Sequence, residues 1–247
     1  MLASDGRTFL KAFPTTLGLA AILICLSSNA WSQVGQIENL SGTGAKVQQA
    51  GSLKPQPAMP AMKVEYHDQV TTDPASALRL KLVDNTEFSA VQSTELVFDK
   101  NGHRLQLKLL KGGLGEFSVI PPNDLEIVTG NSLERISGTN FDTTYTEGVV
   151  RPGYEGCSQY TDLIVREGVV AISNLSNPIV VVQVPAGYET TVPCQLPPLN
   201  PGPIGITGAR APATTAAGRT SVAAAVSGSA APPPEVGPTF PFSVVDP

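Results

Sequence analysis

The sequence predicts an all-β fold built from many short strands. Three observations carry that prediction. Apolar residues recur at every second position in short runs, and Gly, Pro, Asn and Asp punctuate those runs. Beyond an N-terminal apolar run, no window keeps the 3.6-residue period of an amphipathic helix. At 247 residues the chain has room for one sizeable domain, or two at most. Its 23 glycines and 22 prolines, with only 15% charged and 6% aromatic residues, suit a turn-rich β domain with a polar appendage. A net charge of −5 without a concentrated basic patch excludes nucleic-acid binding, which depends on neutralising phosphates. There is no acidic block either, so charge alone names no partner class.

Residues 1–32 read as a signal peptide. Arg7 and Lys11 supply the positive start, Leu17 to Leu26 the apolar core, and Ser28, Ala30 and Ser32 the small residues of a cleavage site after Ala30 or after Ser32. The apolar run falls short of the roughly 20 residues that span a bilayer, so no stable transmembrane segment is expected after cleavage. Cys25 follows Ile24, where lipid attachment calls for a small residue. The expected location is periplasmic or secreted, in a bacterium.

Residues 33–195 read as the β domain. Val34 to Leu40 and Lys46 to Gln48 are its first strands, with Gly42-Thr-Gly44 between them. Prolines 55, 57 and 60 make Gly51 to Met62 a loop, since they remove ladder donors that a central strand needs. Tyr66 to Thr72 leads to Ser76–Leu82, where Leu78, Leu80 and Leu82 share one face and Arg79 and Lys81 the other. A turn at Asp84-Asn-Thr86 precedes strands at Glu87 to Val91 and Thr94 to Phe98. Asn101-Gly102 then signals a hairpin, because both residues tolerate positive φ. The next strand carries Leu105, Leu107 and Leu109 and is expected to break at Gly112-Gly113. Phe117 to Ile120, Leu125 to Thr129 and Ile136 to Phe141 continue the series, and Thr161 to Ile172 forms a strand bent at Gly168. Ile179-Val-Val-Val-Gln-Val184 is the most apolar strand and is expected to lie deepest, before a turn at Pro185 to Tyr188 and a strand from Glu189 to Val192.

Residues 196–247, rich in Pro, Ala, Gly, Thr and Ser, read as a disordered tail. Phe240 and Phe242 near its end are either incidental or a short docking peptide that adds to a partner's sheet edge.

Little in the chain suggests catalysis. His67 and His103, the two histidines, fall at a strand entrance and beside a tight turn, and no nucleophile elbow, P-loop or zinc-protease motif occurs. Asp99 to His103 lacks the ligand spacing of a calcium loop, and turn chemistry accounts for its residues. Glu126, Glu134 and Glu167 fall on different strands and read as solvated strand faces. No catalytic residue, metal site or cofactor is therefore expected. Cys157 and Cys194 remain after signal removal, and export to an oxidising compartment predicts that they pair; the alternative is two unpaired thiols.

Six short motifs in order give a family resemblance. Asp68-Gln-Val-Thr-Thr72 with Ser76-Ala-Leu78, Leu80-Lys-Leu-Val-Asp84-Asn-Thr-Glu-Phe88, Leu109-Leu-Lys-Gly112, Gly138-Thr139-Asn-Phe141, Val165-Arg-Glu167-Gly168-Val-Val170 and Pro185-Ala-Gly187-Tyr-Glu189 span most of the domain. From about Val34 to Val192 the chain resembles the FecR domain, the extracytoplasmic β domain of bacterial cell-surface signalling regulators. His67 and Asn85 stand where that family usually has glycine. The resemblance implies a short-stranded β-helix or solenoid-like fold. It gives Asp68, Thr72, Asp84, Gly138, Thr139, Phe141, Glu167, Gly168, Val170 and Gly187 structural roles.

Full regulators of this type place a cytoplasmic anti-sigma segment and a transmembrane helix before the domain, whereas here a signal sequence precedes it. The chain therefore looks like a detached, exported FecR-like protein. The expected function is non-enzymatic recognition in extracytoplasmic signalling or envelope association, toward an unidentified protein partner. The alternative is a structural protein that binds carbohydrate or cell-wall polymer, since stacked β surfaces suit elongated ligands. The loop from Thr146 to Tyr160, with Tyr154 and Tyr160, is the expected contact surface.

Overall fold

The computed structural model describes residues 33–121 and 124–205. The signal-peptide assignment (1–32) and most of the tail (206–247) lie outside the described residues. Every regular element among the described residues is a strand. In chain order these are β1 (Gln33–Ser41), β2 (Lys46–Gln48), β3 (Gln56–Pro57), β4 (Lys63–Glu65), β5 (Gln69–Thr71) and β6 (Ala77–Leu82). Next come β7 (Glu87–Ala90), β8 (Glu95–Asn101), β9 (Arg104–Ser118), β10 (Asp124–Val128), β11 (Ser132–Ser137) and β12 (Asn140–Glu147). The last are β13 (Gln159–Glu167), β14 (Val169–Asn174), β15 (Asn177–Pro185), β16 (Tyr188–Pro193) and β17 (Gly202–Pro203).

All seventeen strands belong to one hydrogen-bonded sheet, which folds into two facing layers. Layer A runs β4-β1-β6-β7-β9-β12-β13-β16-β17. Layer B runs β3-β2-β5-β8-β9-β10-β11-β14-β15. The chain crosses between layers every one or two strands and advances steadily along one axis, so the architecture is solenoid-like. Its rungs are antiparallel, unlike those of a parallel β-helix, apart from the β9–β10 pair. Short strands with tight turns favour this arrangement, because hairpins close locally and parallel neighbours need a crossover.

The alternation expected of β6 holds: Leu78, Leu80 and Leu82 are buried while Arg79 and Lys81 are only partly so. Two other expectations are corrected. Gly112-Gly113 does not break its strand. β9 passes through both glycines, pairing with β8 and β10 before them and with β7 and β12 from Gly112 onward. Gly112 has φ +81°, and a Cβ there would lie 2.5 Å from the Ser93 carbonyl, so the glycine lets one strand turn a corner from layer B to layer A. The second correction concerns Ile179–Val184, which is not the deepest strand. As part of β15 it is the outermost strand of layer B, with Val180, Val182 and Val184 facing inward and Ile179 80% exposed.

Between the layers lies one apolar core. At its centre Phe88, Phe117 and Phe141, from neighbouring strands β7, β9 and β12, stack with successive centroids 4.6 Å apart, all fully buried. One lateral rim is a row of corners. The chain turns at Gly138 from β11 into β12, and at Gly168 from β13 into β14. Gly168 has φ +75°, and a Cβ on it would press within 2.7 Å of the Thr139 methyl and 2.9 Å of the Gly138 carbonyl, so successive corners pack directly on one another.

Polar bonds tie the opposite rim. Thr129 Oγ1 meets Thr161 Oγ1 at 2.7 Å, Thr161 Oγ1 donates to Asn131 Oδ1 at 2.6 Å, and Asn131 Nδ2 donates to the Val192 carbonyl at 2.7 Å. Every member is buried and paired, as a buried polar network must be to hold two layers together.

Truncating the middle ring of the aromatic stack, Phe117→Ala, is expected to lower unfolding stability by about 3–5 kcal/mol, read as a fall in the urea midpoint. An unchanged midpoint would show that the stack is dispensable.

Candidate contact surface

The loop between β12 and β13 is built on a buried platform. The Tyr160 ring is fully buried; its hydroxyl donates to the Cys157 carbonyl at 2.8 Å and accepts from the Arg151 amide at 3.2 Å. The Arg151 guanidinium lies over that ring, 4.2 Å from its centroid, and grips Asp162 with bonds of 2.8 and 2.6 Å. Asp162 also accepts from the Thr191 hydroxyl at 2.7 Å, which links the loop to β16. Hydrogen bonding to Asp162 raises the Arg151 pKa, ahead of the opposing effect of burial.

Tyr160 is therefore not a contact residue, contrary to the sequence expectation. A phenol placed on an inward-facing strand position is an anchor, and its hydroxyl is used up in shaping the loop. Tyr154 packs edge-on against it, with centroids 6.2 Å apart, and is half-buried. The loop's outward apolar surface is instead Val149 and Val150, 51% and 57% exposed. Cys157 and Cys194 form a disulfide with their Cα atoms 5.6 Å apart, fixing the loop to the exit of β16.

The motif residues occupy bends and the core. Asp68 is buried and accepts from the amides of Ala50 and Glu65 at 2.8 and 2.9 Å. Thr72 Oγ1 donates to the Val91 carbonyl at 2.5 Å and accepts from the Thr94 amide at 2.9 Å. Asp84 Oδ1 accepts from the Thr86 amide at 2.9 Å, closing an Asx turn. Phe141 and Val170 are fully buried and Thr139 nearly so, Glu167 is exposed, and Gly187 sits in the β15–β16 turn. His67 and Asn85 both take left-handed backbone, with φ +69° and +65°. That conformation explains a glycine preference at those two positions. The two histidines are apart and exposed; His67 lies 3.6 Å from Asp99, which is itself paired with Lys108. Among the described residues no group of three or more His, Cys, Asp or Glu could hold a metal ion, and no helix is long and apolar enough to cross a membrane.

Two glutamates depart from the solvated faces expected of them. Glu126 is 2% exposed, lying on the outer side of layer B beneath Arg104 and Arg135. Burial pushes its carboxyl up, but hydrogen bonds from Asn101, Arg135 and Gln106 outweigh that and hold it below its ordinary value. Arg104, Glu126 and Arg135 line a shallow open groove with Asp124, Ala171 and Gln183. Glu134 lies between the layers with no exposed surface. It accepts from the Thr143 hydroxyl at 2.7 Å, and its Oε2 meets no partner among the described residues. Burial pushes its carboxyl up to about 8, against the lowering effect of the Thr143 bond. Neither glutamate could be placed from the sequence, because each occupies a strand position whose facing depends on the layer crossing.

Residues 68–171 match the family model described as FecR protein. No curated protein matches the chain.

Two outcomes follow from this geometry. Replacing Cys157 and Cys194 by alanine is expected to cost about 4 kcal/mol on the loop-entropy model, measured by urea unfolding, and in the unreduced protein neither Cys157 nor Cys194 is expected to be alkylated by peptide mass. The second concerns pH. Glu134 has a folded-state pKa above its ordinary 4.5, so between about 4.5 and 8 the folded chain binds more protons than the unfolded one. Stability therefore falls as pH rises through that window, by up to about 5 kcal/mol at 1.36 kcal/mol per unit. Glu134→Gln is expected to flatten the slope in urea midpoints measured from pH 4 to 9; parallel curves would refute the assignment.

Proposed function

We propose that the chain, whose residues 68–171 match the family model described as FecR protein, is an exported, non-enzymatic recognition module of envelope signalling. A FecR domain implies a role in signalling or sensing at the envelope. The finer reading is that the protein works by binding another protein, through the disulfide-held loop between β12 and β13. The observation that carries it is that loop's construction. Tyr160, Arg151, Asp162 and the Cys157–Cys194 bridge hold it from beneath while Val149 and Val150 project outward. A pre-ordered loop with exposed aliphatic side chains has little ordering entropy left to lose on binding, and this suits a protein contact.

The test is affinity capture with mature protein from envelope extract, comparing wild type with a Val149→Asp/Val150→Asp variant that melts at the same temperature. A defined transport receptor or sigma-regulatory protein is expected with wild type and at least tenfold less with the variant. Retention on cell-wall polymer with no protein partner would overturn the reading in favour of a polymer-binding structural protein.

A further inference from the structure

Asn101-Gly102, which the sequence marks as a hairpin, forms the tip between β8 and β9. Asn101 and Arg104 are the last residue pair of that ladder, and Gly102 and His103 make the turn. The same dipeptide is chemically labile in water, because no side chain on glycine hinders approach of its amide nitrogen to the asparagine side-chain carbonyl. Here the surroundings leave that approach open. Residues Asn101, Gly102, His103 and Arg104 are all exposed. Gly102 has φ +63°, the position that a two-residue turn with glycine first requires, and nothing lies within 4 Å of where its Cβ would be. Its amide donates to no acceptor among the described residues. Asn85 makes the contrast. It is also exposed at a tight turn, with φ +65°, but it is followed by buried, β-branched Thr86, whose amide donates to Asp84 Oδ1 at 2.9 Å. That nitrogen is neither free nor approachable.

The labile side chain is also a structural one. Asn101 Nδ2 donates to Glu126 Oε2 at 3.0 Å. Glu126 is 2% exposed and accepts in addition from Gln106 Nε2 and Arg135 Nε, each at 3.3 Å. Arg104, in the same hairpin as Asn101, lies 3.6 Å from both Glu126 and Asp124. The amide at 101 is therefore one of the donors that hold a nearly sealed carboxylate. Exchanging its NH2 for an oxygen anion removes that donor and sets a second negative charge against Glu126, which has little water to screen it.

We propose that Asn101 is a site of spontaneous deamidation, and that the product unseats Glu126 from its cage on the outer side of layer B. The Gly102 nitrogen gives up its proton and bonds to Asn101 Cγ, and the side-chain nitrogen leaves as ammonia. Water then opens the cyclic imide at either carbonyl, leaving aspartate or isoaspartate. The net change is a water gained and an ammonia lost. Isoaspartate also adds a methylene to the backbone, which displaces the pair that Asn101 makes with Arg104. This inference is independent of the loop surface proposed above.

Peptide mass mapping of the full chain, stored in mildly alkaline buffer, tests the first half. Position 101 is expected to convert at least tenfold faster than Asn85 and to give an isoaspartyl signal, with no conversion there in Asn101→Gln. An intact Asn101, or equal rates at the two positions, would overturn the proposal. The second half is read from urea midpoints. Asn101→Asp supplies the aspartyl product from the start, and its midpoint is expected to fall below those of fresh wild type and of Asn101→Gln, which keeps an amide. Backbone hydrogen exchange across Asp124–Val128 is expected to quicken in the same variant. A midpoint equal to wild type would mean that Arg104 and Arg135 neutralise the new charge. That result, or an equal fall in Asn101→Gln, would overturn the coupling to Glu126.

Discussion

β9 pairs with β8 and β10 in one layer and, beyond Gly112, with β7 and β12 in the other. The remaining strands each pair within a single layer, so this corner sets the spacing and facing of both sheets. The aromatic stack depends on it directly, because Phe117 lies in the second half of β9 and fits between Phe88 and Phe141 only after the strand has crossed. A side chain at Gly112 would collide with the Ser93 carbonyl and the Thr94 backbone, pushing β8 away from β9 where the two layers join.

The two lateral rims complete the frame by different chemistry. The corner rim relies on close approach of backbone, with Gly168 against Gly138 and Thr139. The opposite rim relies on saturated polar contacts among Thr129, Asn131 and Thr161, and on Asn174, whose Nδ2 donates to the carbonyls of Cys194 and Leu196 at 2.6 and 2.9 Å. The disulfide lies beside this second rim, where Asn174 binds the Cys194 carbonyl, so the loop above it is joined to a hydrogen-bonded frame. That placement turns a long inter-strand connection into a shaped surface.

Much of this was legible in the sequence, and the parts that were not share a cause. The alternation of Leu78, Leu80 and Leu82 is a local pattern, and it located β6 and its inward face. The left-handed positions of His67 and Asn85 and the corner at Gly138 were marked by turn-forming types or motif position, whereas Gly168, expected as a bend within one strand, separates β13 from β14 in opposite layers. Ile179–Val184 misled because an uninterrupted apolar run reports β-propensity and says nothing of whether a neighbour exists on each side. Gly112-Gly113 misled because glycine marks both the end of a strand and a bend within one. Tyr160, Glu126 and Glu134 were out of reach for a related reason: which way each position faces is set by the register of its strand within its layer, and a one-residue change of facing would have reversed each assignment.

The stepwise advance of the chain has a consequence for how the fold comes apart. In a roll where each strand is bonded only to the next rung, stability is close to a sum of neighbour terms and cooperativity is limited. The β2–β3 and β16–β17 ladders each join only two residue pairs, but near the carboxy-terminal end the loop before β13 is cross-linked to the exit of β16 by Cys157–Cys194. Fraying therefore starts at the amino-terminal rungs and travels toward the strand shared by both layers, where it meets the aromatic stack. The half of the molecule that bears the bridged loop and the β15 edge melts last, so it can outlive partial unfolding or proteolytic trimming of the other half.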